Sequence, residues 1–261
     1  MLPRPKKRLG QHFLTDRHYL ARIVAEIAPR AGEAMLEIGP GPGALTEALC
    51  AIVQPLHVVE VDRELARALR DRFPPSALVV HESDVLQFDL ATLPSPLRVV
   101  GNLPYNVSTP ILFHVAGHAA QLRDCVFMLQ REVVERMVAE PDTPEYGRLS
   151  VMLQERFEMS LAFHVPPGAF TPPPKVESAI VRMRPRPPDA PRARDEQTFA
   201  TVVAAAFSQR RKTLRNALRT LAGEAEFQAA SIDPGRRGET LSVAEFRALA
   251  DAVISVSGSR G

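Results

Sequence analysis

The chain has 261 residues, 45% apolar and 24% charged, with a net charge of +2. That is the profile of an ordinary globular protein with material for one sizeable core and a smaller appendage, so two domains are expected. No uncharged apolar run approaches the ~20 residues that a membrane span needs, and no apolar stretch follows the basic segment 1–8, which predicts a cytoplasmic protein with no membrane partner.

The basic residues are unevenly placed. Arg4, Lys6, Lys7 and Arg8 form one acid-free cluster, and Arg210, Arg211, Lys212, Arg215 and Arg219 form another. Such clusters are the electrostatic footprint of a polyanion partner, although a single cluster is more commonly a solvated face. After the first cluster, Thr15-Asp16 offers an N-cap for a helix whose apolar face is Leu20, Ile23, Val24 and Ile27, spaced i, i+3, i+4, i+7. The apolar run 34–38 then reads as a buried strand entering Gly39-Pro40-Gly41-Pro42-Gly43, and a helix carrying Leu45, Ala48 and Leu49 leads to a second strand over 56–61. Strand, glycine loop, helix, strand is a nucleotide-binding βαβ arrangement.

Glu60 lies 21 positions after Gly39, at the tip of that second strand, where a carboxylate can accept hydrogen bonds from both ribose hydroxyls of an adenosine-containing cofactor. Asp62 caps the next helix, through Leu65, Leu69 and Phe73. A third strand over 77–81 ends near Ser83-Asp84, which places a second acid beside the cofactor's adenine. The fourth strand, 97–100, runs into Gly101-Asn102-Leu103-Pro104-Tyr105-Asn106. A stiff loop at a strand's carboxyl end projects its side chains into the crevice where open α/β sheets bind ligands.

The chemistry of Asn-x-Pro-Tyr suits an exocyclic aromatic amine. The lone pair of such a nitrogen is delocalised, and two acceptors could draw on its hydrogens and restore nucleophilicity. These would be the Asn102 side-chain oxygen and a main-chain carbonyl held in place by Pro104, with Tyr105 stacking on the base. The same residues also fit a local turn in which Asn102 caps backbone groups and Tyr105 packs at the surface.

Beyond it, helices are predicted over 110–118, 132–138 and 146–156, with a fifth strand over 125–129. The runs 157–165 and 176–183 have no helix between them, which predicts an antiparallel pair at one edge of an otherwise parallel sheet. Residues 184–194, with four prolines, read as a linker. The remainder reads as helical, with apolar faces Phe199, Val202, Val203, Ala206, Phe207, then Leu214, Leu218, Leu221, and a last helix capped by Ser242. Cys50 and Cys125 lack CxxC or ligand spacing and read as reduced core residues. His114 and His118 are i, i+4 but have no Glu between them and no third ligand, so no metal is expected.

Gly39-x-Gly41-x-x-Ala44 satisfies the dinucleotide fingerprint, so a nicotinamide enzyme competes with a methyltransferase. A motif suited to an amine acceptor and a terminal antiparallel strand pair favour the methyl donor. The expected fold class is therefore α/β, a Rossmann-like class I methyltransferase sheet, mostly parallel with an antiparallel edge pair, followed by a small all-helical C-terminal domain. The expected divisions are 1–185, a linker 186–194, and 195–261.

Six ordered blocks together resemble the bacterial small-subunit rRNA adenine N6,N6-dimethyltransferases: residues 6–14, 37–43, 60–62, 101–110, 170–178 and 207–216. The resemblance implies S-adenosyl-L-methionine as cofactor. It implies dimethylation of two adjacent adenosines in the 3′-terminal hairpin of 16S rRNA, within an immature small subunit. It carries cofactor contacts to His12, Leu14, Gly39, Gly41, Glu60, Val61, Asp84, Val85 and Asn102. Catalytic roles are expected at Asn102, Leu103, Pro104, Tyr105 and Phe170: Tyr105 on the loop after the fourth strand and Phe170 on a separate loop before the proline run would sandwich the extruded base. RNA contacts fall on Lys6, Lys7, Arg8, Arg210, Arg211, Lys212 and Arg215, and a monomer is expected. His12 departs from the pattern, since many relatives carry Asn there. Two rivals share parts of this pattern: a 23S rRNA dimethyltransferase of the macrolide-resistance type, against which block 207–216 argues, and a non-catalytic RNA-binding factor, against which intact Glu60, Asp84 and Asn102 argue.

Overall fold

The computed structural model describes residues 12–209 and 211–258. Lys6, Lys7, Arg8 and Arg210 lie outside the described residues. In chain order the elements are β1 (Phe13–Leu14), α1 (Arg17–Ile27), β2 (Ala34–Ile38), α2 (Ala44–Cys50), β3 (Leu56–Glu60), α3 (Arg63–Arg72), β4 (Leu78–Glu82), β5 (Leu97–Asn102) and α4 (Ser108–Gly117). They continue with β6 (Leu122–Gln130), α5 (Arg131–Val138), α6 (Arg148–Gln154), β7 (Phe157–Val165), β8 (Phe170–Thr171), β9 (Ser178–Pro185), α7 (Glu196–Ser208), α8 (Leu214–Ala217), α9 (Glu224–Ala229) and α10 (Val243–Gly258).

Seven strands form one sheet in the order β4-β3-β2-β5-β6-β9-β7. β4, β3, β2, β5 and β6 pair in parallel, and β9 pairs antiparallel to β6. This is the expected α/β class, with its antiparallel edge. The chain moves outward from β2 in one direction through β3 and β4, then returns to lay β5 against the other side of β2. The strand order therefore switches between β2 and β5, and their carboxyl ends splay open a crevice.

Helix starts follow the capping chemistry. The Asp16 carboxylate accepts from the N–H groups of His18 at 2.8 Å and Tyr19 at 3.2 Å, and Asp62 accepts from Glu64 N–H at 3.0 Å. Ser242 and Glu245 exchange reciprocal bonds at the head of α10, a capping box. In β2 both faces are covered, with Met35 and Leu36 fully buried, as parallel strands between two helix layers require.

Arg98 is the polar exception inside β5. Its guanidinium holds both oxygens of Asp124 at 2.7 and 3.0 Å, Glu33 at 2.8 Å, and the Ile27 carbonyl at 2.5 Å. A second arginine, Arg182, bridges Asp124 at 2.6 Å to Glu26 at 2.8 Å. Every charge in this buried group has a partner, so the end of α1 is tied to β5, β6 and β9.

Contacts divide the chain into two compact units, Met1–Val134 with Glu158–Pro185, and Glu135–Phe157 with Arg186–Gly261. This corrects the expected division at one point. Residues 135–157, assigned from sequence to the first domain, gather with the C-terminal helices because Tyr146 and Val151 are fully buried in the same core as Val203, Leu241 and Phe246. Tyr146 also donates to the Leu241 carbonyl at 2.9 Å. The expected linker 186–194 forms no helix or strand, but it is held: the Arg186 N–H donates to the Arg156 carbonyl at 2.8 Å, and Ala193 N–H donates to Glu155 at 3.0 Å. No helix among the described residues is long and apolar enough to cross a membrane.

Candidate active site

The glycine loop after β2 and the asparagine at the end of β5 both open onto the crevice. β5 is two residues longer than its apolar run suggests, so Asn102 is its last residue. The extension has a steric basis at Gly101, where a Cβ would meet the Ile38 carbonyl oxygen at 2.5 Å. Only glycine lets β5 approach the mouth of β2 this closely.

One cavity in the first unit is lined by His12, Leu14, Gly39, Gly41, Glu60, Val61, Asp84, Val85 and Asn102, together with Leu103, Pro104 and Tyr105. All nine residues expected to contact the cofactor and four of the five expected catalytic residues thus line one cavity. Gly41 has φ +57°, and a Cβ there would lie 3.2 Å from two ring atoms of Phe13, so the loop passes tightly under the first strand.

Glu60 is 5% exposed, and its two oxygens are each already anchored: one accepts from Gly41 N–H at 3.2 Å and the other from Asp62 N–H at 2.9 Å. With two lone pairs on each oxygen, the carboxylate keeps acceptor capacity for a ligand. Burial raises its pKa, with the main-chain donors at Asp62, Gly41 and Val61 opposing that shift. Glu37 lies beneath the loop, accepts from the Thr46 hydroxyl at 2.7 Å, and has its carboxyl pushed up by burial to about 8. It lines the same cavity, but the sequence reading did not select it. The available signal was an acid set inside an apolar strand directly before the glycine loop. Further out, Asp84 is exposed and uses one oxygen to accept from Leu86 N–H at 3.0 Å. Val61, 55% exposed, presents an apolar surface to the cavity.

The acceptor side has a defined orientation. Asn102 Nδ2 donates to the main-chain carbonyl of His12 at 2.9 Å. A carbonyl only accepts, so the amide nitrogen must face it and Oδ1 is left as the free acceptor. The following loop is docked by Leu103 N–H donating to Met128 O at 3.1 Å and by Val107 N–H donating to Pro104 O at 3.2 Å. Tyr105 shares a 2.6 Å hydrogen bond with the Ser178 hydroxyl, and one face of its ring lies against the His12 imidazole, centroids 5.6 Å apart at 25°.

A short strap crosses this region that periodicity did not reveal. β1 pairs antiparallel with β8, Leu14 opposite Phe170 and Phe13 opposite Thr171, in a separate two-stranded sheet. The His12 ring adds a bond through Nδ1 to the Pro172 carbonyl at 2.9 Å. This pairing changes the expected place of Phe170. The side chain alternates inward, is 3% exposed, shares a buried cluster with Val165 and Ala169, and is not among the cavity-lining residues. The expected sandwich of a base between Tyr105 and Phe170 is not the arrangement seen, because strand pairing turns Phe170 into the core.

The histidine pair engages backbone carbonyls: His114 Nε2 bonds Phe88 O at 2.9 Å and His118 Nδ1 bonds His114 O at 3.0 Å. In the second unit Arg211, Lys212 and Arg215 are all exposed, and Arg215 has Glu224 at 3.4 Å.

The model of one family, ribosomal RNA adenine dimethylase, matches residues 3–254. The chain belongs to that family. Among curated members, it is 57% identical to the ribosomal RNA small subunit methyltransferase A of Aromatoleum aromaticum, over 97% of this chain and 96% of the relative. It is 51% identical to the protein of that name from Chromobacterium violaceum, over 98% of each. Among solved structures, the dimethyladenosine transferase of Plasmodium falciparum shares the fold with TM-score 0.79 and 22% identity, covering 91% of this chain and 96% of that one. The 23S rRNA methyltransferase ErmE gives TM-score 0.69 and 26% identity over 93% and 99%. The dimethylase fold is thus common to enzymes whose names carry different ribosomal substrates.

Proposed function

We propose that the chain transfers methyl groups from S-adenosyl-L-methionine to N6 of two adjacent adenosines in the 3′-terminal hairpin of 16S rRNA, in an immature small ribosomal subunit. The observation that carries the choice of subunit is identity. The chain is 57% identical to a small-subunit methyltransferase, against 26% to a 23S enzyme of the same fold. A cytoplasmic monomer that needs no metal fits this reading.

The cavity fits the cofactor. Glu60, with its spare lone pairs, receives the ribose diol; Val61 and Val85 flank the cofactor's adenine, and Asp84 accepts from its amine. His12, Leu14, Gly39 and Gly41 surround the methionine end. When bound, S-adenosylmethionine supplies an electrophilic methyl group. The chain supplies the rest. The target adenine leaves its stack at a cost of a few kcal/mol and lies on Tyr105, which offsets roughly 1–3 kcal/mol of it.

Asn102 Oδ1 accepts one N6–H. The second acceptor is the Leu103 carbonyl, which has no hydrogen-bond partner among the described residues, whereas the Pro104 carbonyl is taken by Val107. Accepting both hydrogens reduces conjugation of the lone pair with the ring; as N6 bonds to the methyl carbon, the carbon–sulfur bond breaks with its electrons left on sulfur as a neutral thioether, and N6 releases one proton to solvent. One N6–H remains after the first transfer, so Asn102 can hold the monomethylated amine for the second.

Arg211, Lys212 and Arg215, with Lys6, Lys7, Arg8 and Arg210, bind RNA phosphates. The test is incubation with labelled S-adenosylmethionine and, separately, 16S rRNA, small subunits and large subunits, followed by nucleoside analysis. N6,N6-dimethyladenosine should form in small-subunit RNA, and label confined to large subunits would overturn the assignment. Asn102→Ala should bind cofactor and RNA yet lose single-turnover methylation.

A further inference from the structure

Tyr105 sits on the irregular segment between β5 and α4, and few bonds hold it. Its own carbonyl accepts from the Ser108 hydroxyl at 3.2 Å, and Val107, the N-cap of α4, makes no side-chain cap bond. The ring is therefore aimed from its far end. There the phenol meets Ser178 Oγ at 2.6 Å, the shortest link between this segment and β9 that the described residues provide. Ser178 is fully buried, opens β9, and stands opposite Gln130 at the end of β6, in the antiparallel ladder between those strands.

We propose that Ser178 is a positioning residue for methyl transfer, which sets the plane of the Tyr105 ring on which the target adenine stacks. This rests on the reading of Tyr105 as the stacking surface. The argument is conformational. The torsion that turns a tyrosine ring about its own axis is broad and weakly held. Whichever hydroxyl donates, a phenolic O–H and the lone pair that would accept in its place both lie in the plane of the ring, because the oxygen's other lone pair conjugates with it. A fixed partner for that group thus fixes both the direction of the ring axis and the rotation about it. The imidazole of His12 covers one face of the ring, which leaves the other for a base. Tilting that face would swing the amine away from Asn102, which the sheet and the His12 carbonyl hold independently. Ser178 acts only through Tyr105; it does not line the cavity.

The test is a double-mutant cycle of Ser178→Ala, Tyr105→Phe and the pair, read as single-turnover methylation of small subunits at limiting RNA. Each single variant should lose about three- to tenfold, the rate equivalent of one neutral hydrogen bond, and the double variant should lose no more than either. S-adenosylmethionine affinity should be unchanged in all three, a readout that a general loosening of the fold would move. Multiplied losses in the double variant, or a wild-type rate for Ser178→Ala, would overturn the proposal. Tyr105→Ala separates it from the reading beneath it. If that variant keeps the wild-type rate, Tyr105 does not stack the base; if it fails while Ser178→Ala does not, only the role of Ser178 falls. Should Ser178→Ala not fold, Tyr105→Phe breaks the same bond from the partly exposed side.

Discussion

Replacing Glu60 by Gln changes one atom and tests the cofactor site. In the native site one carboxylate oxygen accepts from Gly41 N–H at 3.2 Å and the other from Asp62 N–H at 2.9 Å, with Val61 N–H also acting on the group, and the carboxylate keeps acceptor capacity for a ligand. A glutamine amide cannot repeat this. Whichever way it is turned, its NH2 group faces a backbone N–H, donor against donor, and only one oxygen remains to serve both protein and ribose. One charge-assisted ribose bond disappears and the other becomes neutral. With charged hydrogen bonds at roughly 1.5–3 kcal/mol and neutral ones near ~1, the loss is about 2–5 kcal/mol. That corresponds to roughly 30- to 4000-fold in the dissociation constant, at ~1.4 kcal/mol per decade. Calorimetric titration of S-adenosylmethionine into wild type and Glu60→Gln measures it, with circular dichroism confirming the fold. An affinity within about threefold of wild type in a folded variant would remove Glu60 from the ribose and with it the cofactor placement.

Two further outcomes are expected. Glu37 is held protonated by burial, with its pKa near 8 against an ordinary 4.5, so between those values the folded state binds more protons than the unfolded one and stability falls as pH rises. Glu37→Gln keeps the Thr46 bond and should remove that decline, measured by chemical denaturation at pH ~5 and ~8.5; an unchanged slope would mean that Glu37 ionises normally. Neutralising Arg211, Lys212 and Arg215 together should flatten the salt dependence of RNA binding by up to ~3 in log–log slope while leaving cofactor affinity alone. A wild-type slope would place the RNA on another surface.

What the sequence revealed divides along physical lines. Glu60, the glycine loop, Asp84 and Asn102 were legible because each sits at a strand's carboxyl end, and a strand buried on both faces announces itself as a short apolar run in a local window. β1 and β8 were not, since strands of two residues have no periodicity and their partners stand more than 150 positions apart. Phe170 was placed in a loop for that reason and proved to be core. The segment 135–157 looked like a continuation of the α/β alternation, and only the burial of Tyr146 against residues about a hundred positions later decides where it belongs. In the same unit Leu214, Leu218 and Leu221 do gather in one core, but the helix stops at Ala217 and the chain continues in turns. Apolar spacing predicts which residues meet more reliably than the backbone that carries them.

The bond between Asn102 and residue 12 is made to a peptide carbonyl, and every amino acid supplies one. The element that orients the amide therefore survives any substitution at position 12 that leaves the strap in place. A change of side chain there would alter what lies on the Tyr105 ring while the aim of the acceptor stays the same. A position can thus tolerate many side chains and still be indispensable, with its contribution visible to deletion or a backbone ester but not to an alanine scan.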